Sequence, residues 1–385
     1  MSKFPTGFAA ISILLTLIMG CSGSNEEKEE ASAVHTVTVG WIGPLTGSAN
    51  ILGIDNLDAV KLALTAYEAH KEITDPTIKL TIADDQYRED LTVKAYDNMV
   101  AKQKPAAILV STYSGVGSVA GRALKDSIII IDPIDNDRNL SEMNRNIFLI
   151  AKETESMASI DANAIIDQGK KNTAVIYFGN DEFMPTVAKT LTAILLSNEN
   201  KVKLFEYNAG TTDFKPFLEW GKEHNADSYV FLGYQEIALA IKQARDMGIA
   251  APFYTVNVAF HDLKTSDSSM DGIYFAHFTS LDGNRVKADE FINDYAKIYK
   301  TKPFLEWTAL QAYDAATILF NAIRVASHKE GDFSNNLRDE LLSVANFEGV
   351  SGMITILPSG ASRGIYPSLY IFKGGKAIRA GNITK

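Results

Sequence analysis

The chain contains only one cysteine among its 385 residues, so it cannot form an internal disulfide bond. Six histidines are present, but they are scattered without the spacing that metal ligands show: His35, His70, His224, His261, His277 and His328. The sequence also lacks a G-x-S-x-G nucleophile motif, and no acid pair is placed together by the pattern. We therefore predict no metal site, no cofactor and no enzymatic activity.

Positive charge is also scarce, because 37 lysine and arginine residues face 47 aspartate and glutamate residues, giving a formal charge of −10. The basic residues are scattered rather than gathered into a stripe, so nucleic acid or an anionic bilayer is not attracted electrostatically. After Cys21, no apolar run approaches the roughly 20 residues that a membrane-spanning helix needs. We predict no nucleic-acid partner and no membrane-spanning segment.

The N-terminus carries an apolar run from Phe8 to Met19, preceded by Lys3, which is typical of a secretory signal. The segment Ile18–Cys21 resembles a bacterial lipobox, in which the cysteine is lipidated and becomes the new N-terminus. We predict that residues 1–20 are a lipoprotein signal peptide. Lipid on Cys21 then holds the protein to a membrane on the extracytoplasmic side, in the periplasm or at the cell surface. The alternative is a secreted protein with a coincidental cysteine.

Residues 21–35 are polar and rich in glutamate, which predicts a disordered tether. Beyond it, apolar runs typical of buried strands alternate with helical patterns. The first block has predicted strands at Thr36–Ile42, Ile78–Asp84, Ala106–Val110 and Ile128–Ile131, with predicted helices at Asn56–Ala69, Leu91–Lys102 and Gly117–Asp126. A second block of the same kind begins after residue 150. Two such blocks predict two α/β lobes, each with a parallel sheet covered by helices.

Several motifs occur in a fixed order along the chain: VGWIGPLTG at 39–47, Asp84-Asp85, GTTDF at 210–214, Tyr313-Asp314-Ala315 and FEGVSG at 347–352. Together they resemble type I periplasmic solute-binding proteins of ABC importers, in particular the leucine/isoleucine/valine-binding group in its lipoprotein form. The resemblance implies two doubly wound parallel-sheet lobes joined by three hinge crossovers. It implies an N-terminal lobe of residues 36–150 and 279–350 and a C-terminal lobe of residues 151–278 and 351–385, which close on a solute.

In such sheets, ligands bind at the loops that follow the carboxyl ends of strands. The loop after the predicted strand Ala106–Val110 contains Ser111, Thr112, Tyr113 and Ser114. Hydroxyl groups and exposed N–H groups at a helix N-terminus suit an anion or another polar group. The resemblance implies that this loop holds a ligand carboxylate. The alternative is that a serine or threonine here only caps the helix.

Asp135 and Asn136 follow the next predicted strand, where the resemblance implies a small residue and a threonine. An acid at 135 would repel a ligand carboxylate, unless it only forms an Asx turn. In the second lobe, the resemblance implies that Tyr234 covers a ligand ammonium group. Asn257 stands where a glutamate is implied, and asparagine cannot supply that charge. The resemblance implies an aromatic residue that stacks in the cleft where Leu52 stands, and the alternative is that Leu52 only packs within its loop.

These departures predict a small polar ligand, such as an amino acid, an amide or a related compound. It is bound either with reversed polarity near Asp135 or as a neutral molecule held by Asn136, Asn257 and Tyr234. Trp307 either borders the cleft or packs in the core. The predicted function is a substrate-binding lipoprotein that delivers this solute to the permease subunits of an ABC transporter. The alternative is a ligand-sensing lobe of the same fold that signals to a membrane partner.

Overall fold

The computed structural model describes residues 35–47, 49–181, 183–234, 236–256, 270–277, 285–374 and 376–380. The predicted signal peptide, Cys21 and nearly all of the predicted tether lie outside the described residues, and so does Asn257. Among the residues described, no helix is both long enough and apolar enough to span a membrane. Those residues also include no group of three or more histidine, cysteine, aspartate or glutamate side chains that could hold a metal ion.

A five-stranded parallel sheet forms the first lobe, with the spatial order β2-β1-β3-β4-β5. Its central strands β3 and β4 are buried throughout, as continuously apolar strands of a parallel sheet should be. The strands are β1 (Thr36–Gly43), β2 (Thr77–Asp84), β3 (Ala107–Val110), β4 (Ile129–Asp132) and β5 (Ile147–Leu149). The helices between them are α1 (Asn50–His70), α2 (Glu89–Gln103), α3 (Tyr113–Asp126) and α4 (Arg138–Ser141).

The predicted strands and helices of this block are present, with two differences that matter for the ligand site. Helix α3 begins at Tyr113 rather than at the predicted Gly117, so Tyr113 and Ser114 belong to its first turn. The sequence does not predict β5, because a strand of three residues is too short to show a period.

A seven-stranded sheet forms the second lobe, with the order β15-β14-β10-β9-β8-β6-β7. Strands β6 to β10 run parallel, whereas β14 and β15 add an antiparallel edge. Its strands are β6 (Asn172–Phe178), β7 (Lys201–Tyr207), β8 (Ser228–Leu232), β9 (Phe253–Thr255), β10 (Ile273–His277), β14 (Ser368–Lys373) and β15 (Lys376–Arg379). Its described helices are α5 (Thr154–Asp167), α6 (Phe183–Ser197), α7 (Lys215–Glu223) and α8 (Ile237–Asp246).

After β10 the chain returns to the first lobe with α9 (Val286–Tyr299), α10 (Glu306–Ser327) and α11 (Phe333–Leu342). The buried carboxylate of Asp55 on α1 binds the returning segment to the first lobe. It accepts a hydrogen bond from the Tyr295 hydroxyl at 2.9 Å and one from the Leu305 backbone N–H at 2.7 Å. The chain therefore crosses between the lobes twice before residue 286, as the predicted two-lobe fold requires.

The return to the second lobe comes later than the sequence suggests. The small strands β11 (Phe347–Glu348), β12 (Met353–Ile356) and β13 (Ser362–Arg363) form their own sheet. This sheet remains tied to the first lobe, because Leu149 N–H donates to the Gly360 carbonyl and Ile356 N–H donates to the Val344 carbonyl. We propose that the third crossover is residues 364–367, and not the Gly-rich segment near residue 351.

Candidate functional site

The loop between β3 and α3 carries hydroxyl groups that already have protein partners. The Ser111 hydroxyl donates to Oδ1 of Asn56 at 2.9 Å, and the Thr112 hydroxyl donates to Oδ2 of Asp85 at 3.3 Å. Thr112 is the N-cap residue of α3, yet its side chain makes no capping hydrogen bond. Thr112 therefore does not cap the first turn of α3.

Asp135 forms a buried ion pair that the sequence does not predict. The ammonium of Lys152 lies 2.8 Å from Oδ1 of Asp135 and donates to the Ile134 carbonyl oxygen at 2.7 Å. The exposed fractions of the two charged side chains are only 1% for Lys152 and 8% for Asp135. Because Lys152 neutralises Asp135, the repulsion that the sequence predicts between Asp135 and a ligand carboxylate is compensated within the protein.

Aromatic rings surround the Lys152 ammonium. Its nitrogen lies 4.5 Å from the centre of the Trp307 ring system and 5.4 Å from the centre of the Phe183 ring. Phe183 belongs to the second lobe and packs edge-on against Tyr113 of the first, with ring centres 6.4 Å apart. Trp307 is 4% exposed, and its indole N–H has no hydrogen-bond partner. A buried donor without a partner is costly, and it points to an acceptor that the protein does not provide.

The side chain of Asn136, a predicted ligand-binding residue, makes hydrogen bonds within the protein. Its side-chain amide donates to the Ser362 carbonyl oxygen at 2.6 Å and to the Ala151 carbonyl oxygen at 3.4 Å. The Ser362 hydroxyl in turn lies 3.2 Å from the Ala151 carbonyl oxygen. Asn136 therefore joins the chain at Ala151 to the chain at Ser362.

Tyrosines from the two lobes meet on the other side of the ion pair. The Tyr234 hydroxyl donates to Oδ2 of Asp181 at 2.6 Å, and Tyr87 hydrogen-bonds to Tyr234. Burial, reinforced by nearby carboxylates, raises the pKa of both phenols, so they remain protonated donors at neutral pH. Burial also raises the pKa of Asp181, although its hydrogen bonds oppose this. The resulting chain of hydrogen bonds joins the first lobe to the second.

Tyr87 reaches Tyr234 from a strained backbone. Gln86 and Tyr87 have φ angles of 54° and 60°, in the left-handed region that non-glycine residues seldom occupy. Two carboxylates at the end of β2 hold this turn, since Asp84 accepts from the Gln86 N–H at 3.0 Å and Asp85 accepts from the Tyr87 N–H at 2.9 Å. Strain of this kind persists where the surrounding structure compensates for it, often at a functional site.

These side chains enclose a cavity of about 30 Å³ between the lobes, enough for one or two water molecules. Six predicted ligand-binding residues line it, namely Leu52, Ser111, Thr112, Tyr113, Asp135 and Tyr234. It adjoins a cleft of about 1060 Å³, which Ser114 lines together with Asp181. Tyr87, Tyr113 and Phe183 border both spaces. The cleft and the cavity therefore share part of their walls.

Residues 36–373 match the sequence model of a family described as periplasmic binding proteins. The chain belongs to this family. As a member, it is a solute-binding protein that acts outside the cytoplasm. No curated protein matches the sequence.

Solved structures with the same fold share little sequence with this periplasmic binding protein. A leucine-binding protein from Thermotoga maritima has 20% identity and a TM-score of 0.77, covering 90% of this chain and 98% of that one. A branched-chain amino acid transporter substrate-binding protein from Streptococcus pneumoniae, in complex with isoleucine, has 21% identity and a TM-score of 0.75, covering 89% and 97%. A solute-binding protein from R. palustris, in complex with benzoate, has 16% identity and a TM-score of 0.76, covering 90% and 96%.

The sequence misses two lining residues of this periplasmic binding protein, Tyr87 and Lys152. Both follow the carboxyl end of a strand, Tyr87 after β2 and Lys152 after β5. The rule that identifies the loop after β3 therefore applies to them as well. Trp307, for which the sequence leaves two alternatives open, lines the cavity.

Proposed function

We propose that this periplasmic binding protein captures a small polar solute between its two lobes and delivers it to the permease subunits of an ABC transporter. The observation that supports this proposal most strongly is the position of the cavity. Its lining residues follow the carboxyl ends of strands from both sheets, where α/β sheets bind ligands. The solute class is an amino acid, an amide or a related compound. Two neighbours of the same fold were solved with a small organic solute, one with isoleucine and one with benzoate.

Both lobes contribute residues to the wall of the cavity, and this supports capture by hinge closure. Tyr87, Tyr113 and Asp135 come from the first lobe, whereas Phe183 and Tyr234 come from the second. A solute in the cavity therefore contacts both lobes at once, and this stabilises the closed form relative to the open one. Receptors of this kind need no catalytic group, and the site residues act only by binding.

Native mass spectrometry of freshly purified protein tests the capture of a solute. We expect an adduct of one small molecule per chain that is lost when the protein is denatured. Small-angle scattering should then show that adding back the identified molecule makes the solute-free protein more compact. If the protein carries no small molecule and no member of a broad solute library changes its melting temperature, the proposed function is wrong.

We also propose that the protein is a lipoprotein anchored through Cys21. The support is the lipobox-like segment Ile18–Cys21 and the polar segment that follows it. Expressed with its leader in a bacterial host, the protein should fractionate with membranes and carry the mass of a lipid on Cys21. A Cys21→Ala variant should lose both properties, whereas a Ser22→Ala control should keep them. Membrane fractionation that survives Cys21→Ala contradicts the proposal.

A further inference from the structure

A second cavity lies outside the cleft, on the first lobe, between the C-terminal halves of α1 and α10. This cavity, which we call the helix groove, has a volume of about 150 Å³ and is lined by these two helices and by Lys71, which follows α1. The opposite ends of the same helices line the cavity between the lobes, through Leu52 and Trp307. Roughly 20 Å of helix separates Trp307 from Phe320 in the groove, at about 1.5 Å per residue. The groove and the cavity between the lobes are therefore separate sites.

The inner wall of the helix groove is apolar. Tyr67 of α1 and Phe320 of α10 are buried there, with ring centres 6.0 Å apart. The Tyr67 hydroxyl already has a partner, because it donates to the Pro76 carbonyl oxygen at 2.8 Å. Ala63 and Ala66 also line the groove, and their short side chains leave room beside the two rings. An apolar cavity of this volume is large enough for a benzene ring.

The end of the groove carries a cation that has no protein partner. Nε of Arg324 is buried without a hydrogen-bond partner, and Arg324 forms no ion pair with any of the residues described. The carboxylate of Asp75 is near enough to be influenced by this charge. However, Asp75 is bound by the His328 imidazole at 3.0 Å and by the Glu72 N–H at 2.8 Å. Asn321, one turn before Arg324 on α10, lines the groove as a further polar group.

The other two basic residues of the groove already have partners. The Lys71 ammonium lies 2.9 Å from Oε2 of Glu68. Nδ1 of His70 lies 2.8 Å from the Ala66 carbonyl oxygen. Because a carbonyl oxygen can only accept, Nδ1 carries the proton of this hydrogen bond. Among the described residues that line the groove, Arg324 is therefore the charged group whose counterpart is missing.

We propose that the helix groove binds a compact organic carboxylate with a flat apolar body, such as an aromatic acid. Its ring lies against Tyr67 and Phe320, and its carboxylate accepts hydrogen bonds from the guanidinium of Arg324. A guanidinium and a carboxylate match through two parallel hydrogen bonds. The bound carboxylate supplies the acceptor that the buried Nε lacks, and a buried donor without an acceptor is costly. This site goes beyond the proposed function and does not depend on it.

Titration calorimetry with three probes of nearly equal size tests the charge preference of the groove. The probes are benzoate, benzamide and benzylamine. We expect benzoate to bind at least about tenfold more tightly than benzamide, because only benzoate forms a charge-assisted pair with Arg324. Benzylamine should bind more weakly than benzamide, because its ammonium would lie beside the guanidinium. Absence of benzoate binding, or equal binding of benzoate and benzamide, overturns the inference.

A crystal structure of the protein with benzoate locates the probe. Density between α1 and α10, with the carboxylate at Arg324, supports the inference. Density only in the cleft between the lobes overturns it. Neither result decides the proposed function, which native mass spectrometry and scattering test separately at the cleft.

An Arg324→Gln variant tests the guanidinium. Its affinity for benzoate should fall at least about tenfold, whereas its affinity for benzamide should change little, a difference that a purely structural role would not produce. Arg122→Gln on α3 is the matched control, because Arg122 is exposed and pairs with Asp97 at 3.2 Å, away from the groove. The control should bind benzoate as the wild type does. Equal losses for benzoate and benzamide in Arg324→Gln contradict the inference.

An Ala66→Leu variant tests the groove itself, because the larger side chain takes up space that the probe would occupy. It should weaken the binding of benzoate and of benzamide alike. Ala69→Leu provides the control, since it places the same side chain on the exposed face of α1 and should leave both affinities unchanged. If the folded Ala66→Leu protein binds benzoate as tightly as the wild type, the helix groove is not the binding site.

Discussion

Asp161 on α5 is a carboxyl group buried in the second lobe without a partner. Its side chain is fully buried, and neither carboxyl oxygen has a hydrogen-bond partner. Burial raises its pKa well above the ordinary value of 3.8, so it remains protonated in the folded protein at pH values where the unfolded chain has ionised. The folded state then binds more protons than the unfolded state. By linkage, this group lowers the stability of the protein as the pH rises above about 4.

We predict that Asp161→Asn stabilises the protein at pH 8 by at least about 1 kcal/mol, because it removes the carboxyl group that must stay protonated in the folded state. At pH 4 the gain should be smaller, since roughly half of the unfolded chains are then protonated at this position. Urea denaturation at the two pH values measures the difference. Asp167→Asn on the same helix is the control, because Asp167 is exposed and its substitution should change the stability by less than about 0.5 kcal/mol. A gain that does not depend on pH contradicts the explanation.

Individual residues also show what the sequence can predict about the site. Tyr113, Asp135 and Tyr234 are identified as cavity residues because they follow strand ends, and that is a local property. The role of Asn136 depends on Ser362, which lies 226 residues away, and no local pattern reports such a contact. Tyr87 contacts Tyr234 from a backbone with a φ angle of 60°, which non-glycine residues seldom adopt, so the sequence does not predict this contact.

Among the structural elements, the Gly-rich segment at 347–352 is held by the buried Asp314 of α10. The carboxylate of Asp314 accepts from the Val350 N–H at 2.9 Å and from the Ser351 N–H at 2.7 Å. Burial raises the pKa of Asp314 to about 6 despite these hydrogen bonds. Glycine at 349 is required because a Cβ atom there would overlap the Asp314 carboxylate.

We predict that Gly349→Ala lowers the free energy of unfolding by about 1–3 kcal/mol, because the added methyl group must displace the Asp314 carboxylate or the loop. Gly121→Ala on α3 is the matched control, and it should raise the free energy of unfolding instead of lowering it. An added Cβ at 121 meets nothing within 4 Å, and alanine favours a helix over glycine by about 0.5–1 kcal/mol. Urea denaturation of both variants distinguishes the effects. A Gly349→Ala protein as stable as the wild type would show that Asp314 does not need this close approach.

The order of elements is predicted better than their ends. Continuous apolar runs such as Ile128–Ile131 identify the buried strands, because a parallel sheet excludes polar side chains from both faces. The start of α3 is predicted too late, since Tyr113 and Ser114 carry no strong helix signal before the glycines that follow. The three residues of β5 show no period at all, and Lys152 is missed together with the strand that positions it.

At the scale of the whole molecule, the hydrogen bond between Tyr87 and Tyr234 links the two lobes. We predict that Tyr87→Phe favours the open form, because it removes this inter-lobe hydrogen bond, which contributes about 0.5–1.5 kcal/mol. Small-angle scattering without solute should give a larger radius of gyration than the wild type. Solute affinity should fall severalfold, since part of the binding energy must then close the lobes.

The control for this experiment is Tyr177→Phe, which removes a tyrosine hydroxyl that donates to Glu206 at 2.9 Å within the second lobe alone. Its radius of gyration and solute affinity should match those of the wild type. If Tyr87→Phe also leaves both quantities unchanged, the hydrogen bond does not contribute to closure.

The two-lobe architecture is predicted from the ordered motifs between residues 39 and 352, and the family match confirms the resemblance on which that prediction depends. The return of the chain to the first lobe, where it forms α9, α10 and α11, follows from the same resemblance. The buried ion pair in the cavity does not follow from it, because Lys152 belongs to none of these motifs. Sequence similarity therefore predicts the fold of this protein better than it predicts the side chains that line the cavity.

Lys152 has a consequence for redesigning this receptor as a biosensor. Its backbone is part of the first crossover, and its N–H donates to Gln311 at 3.2 Å, while its ammonium lies in the cavity. Substituting Lys152 changes both the cavity wall and the first crossover. A change in the sensor signal could then not be assigned to solute recognition or to the hinge motion. Leu52 lies on α1, outside the first crossover, so a library at this position should shift solute preference while leaving the backbone of that crossover unchanged.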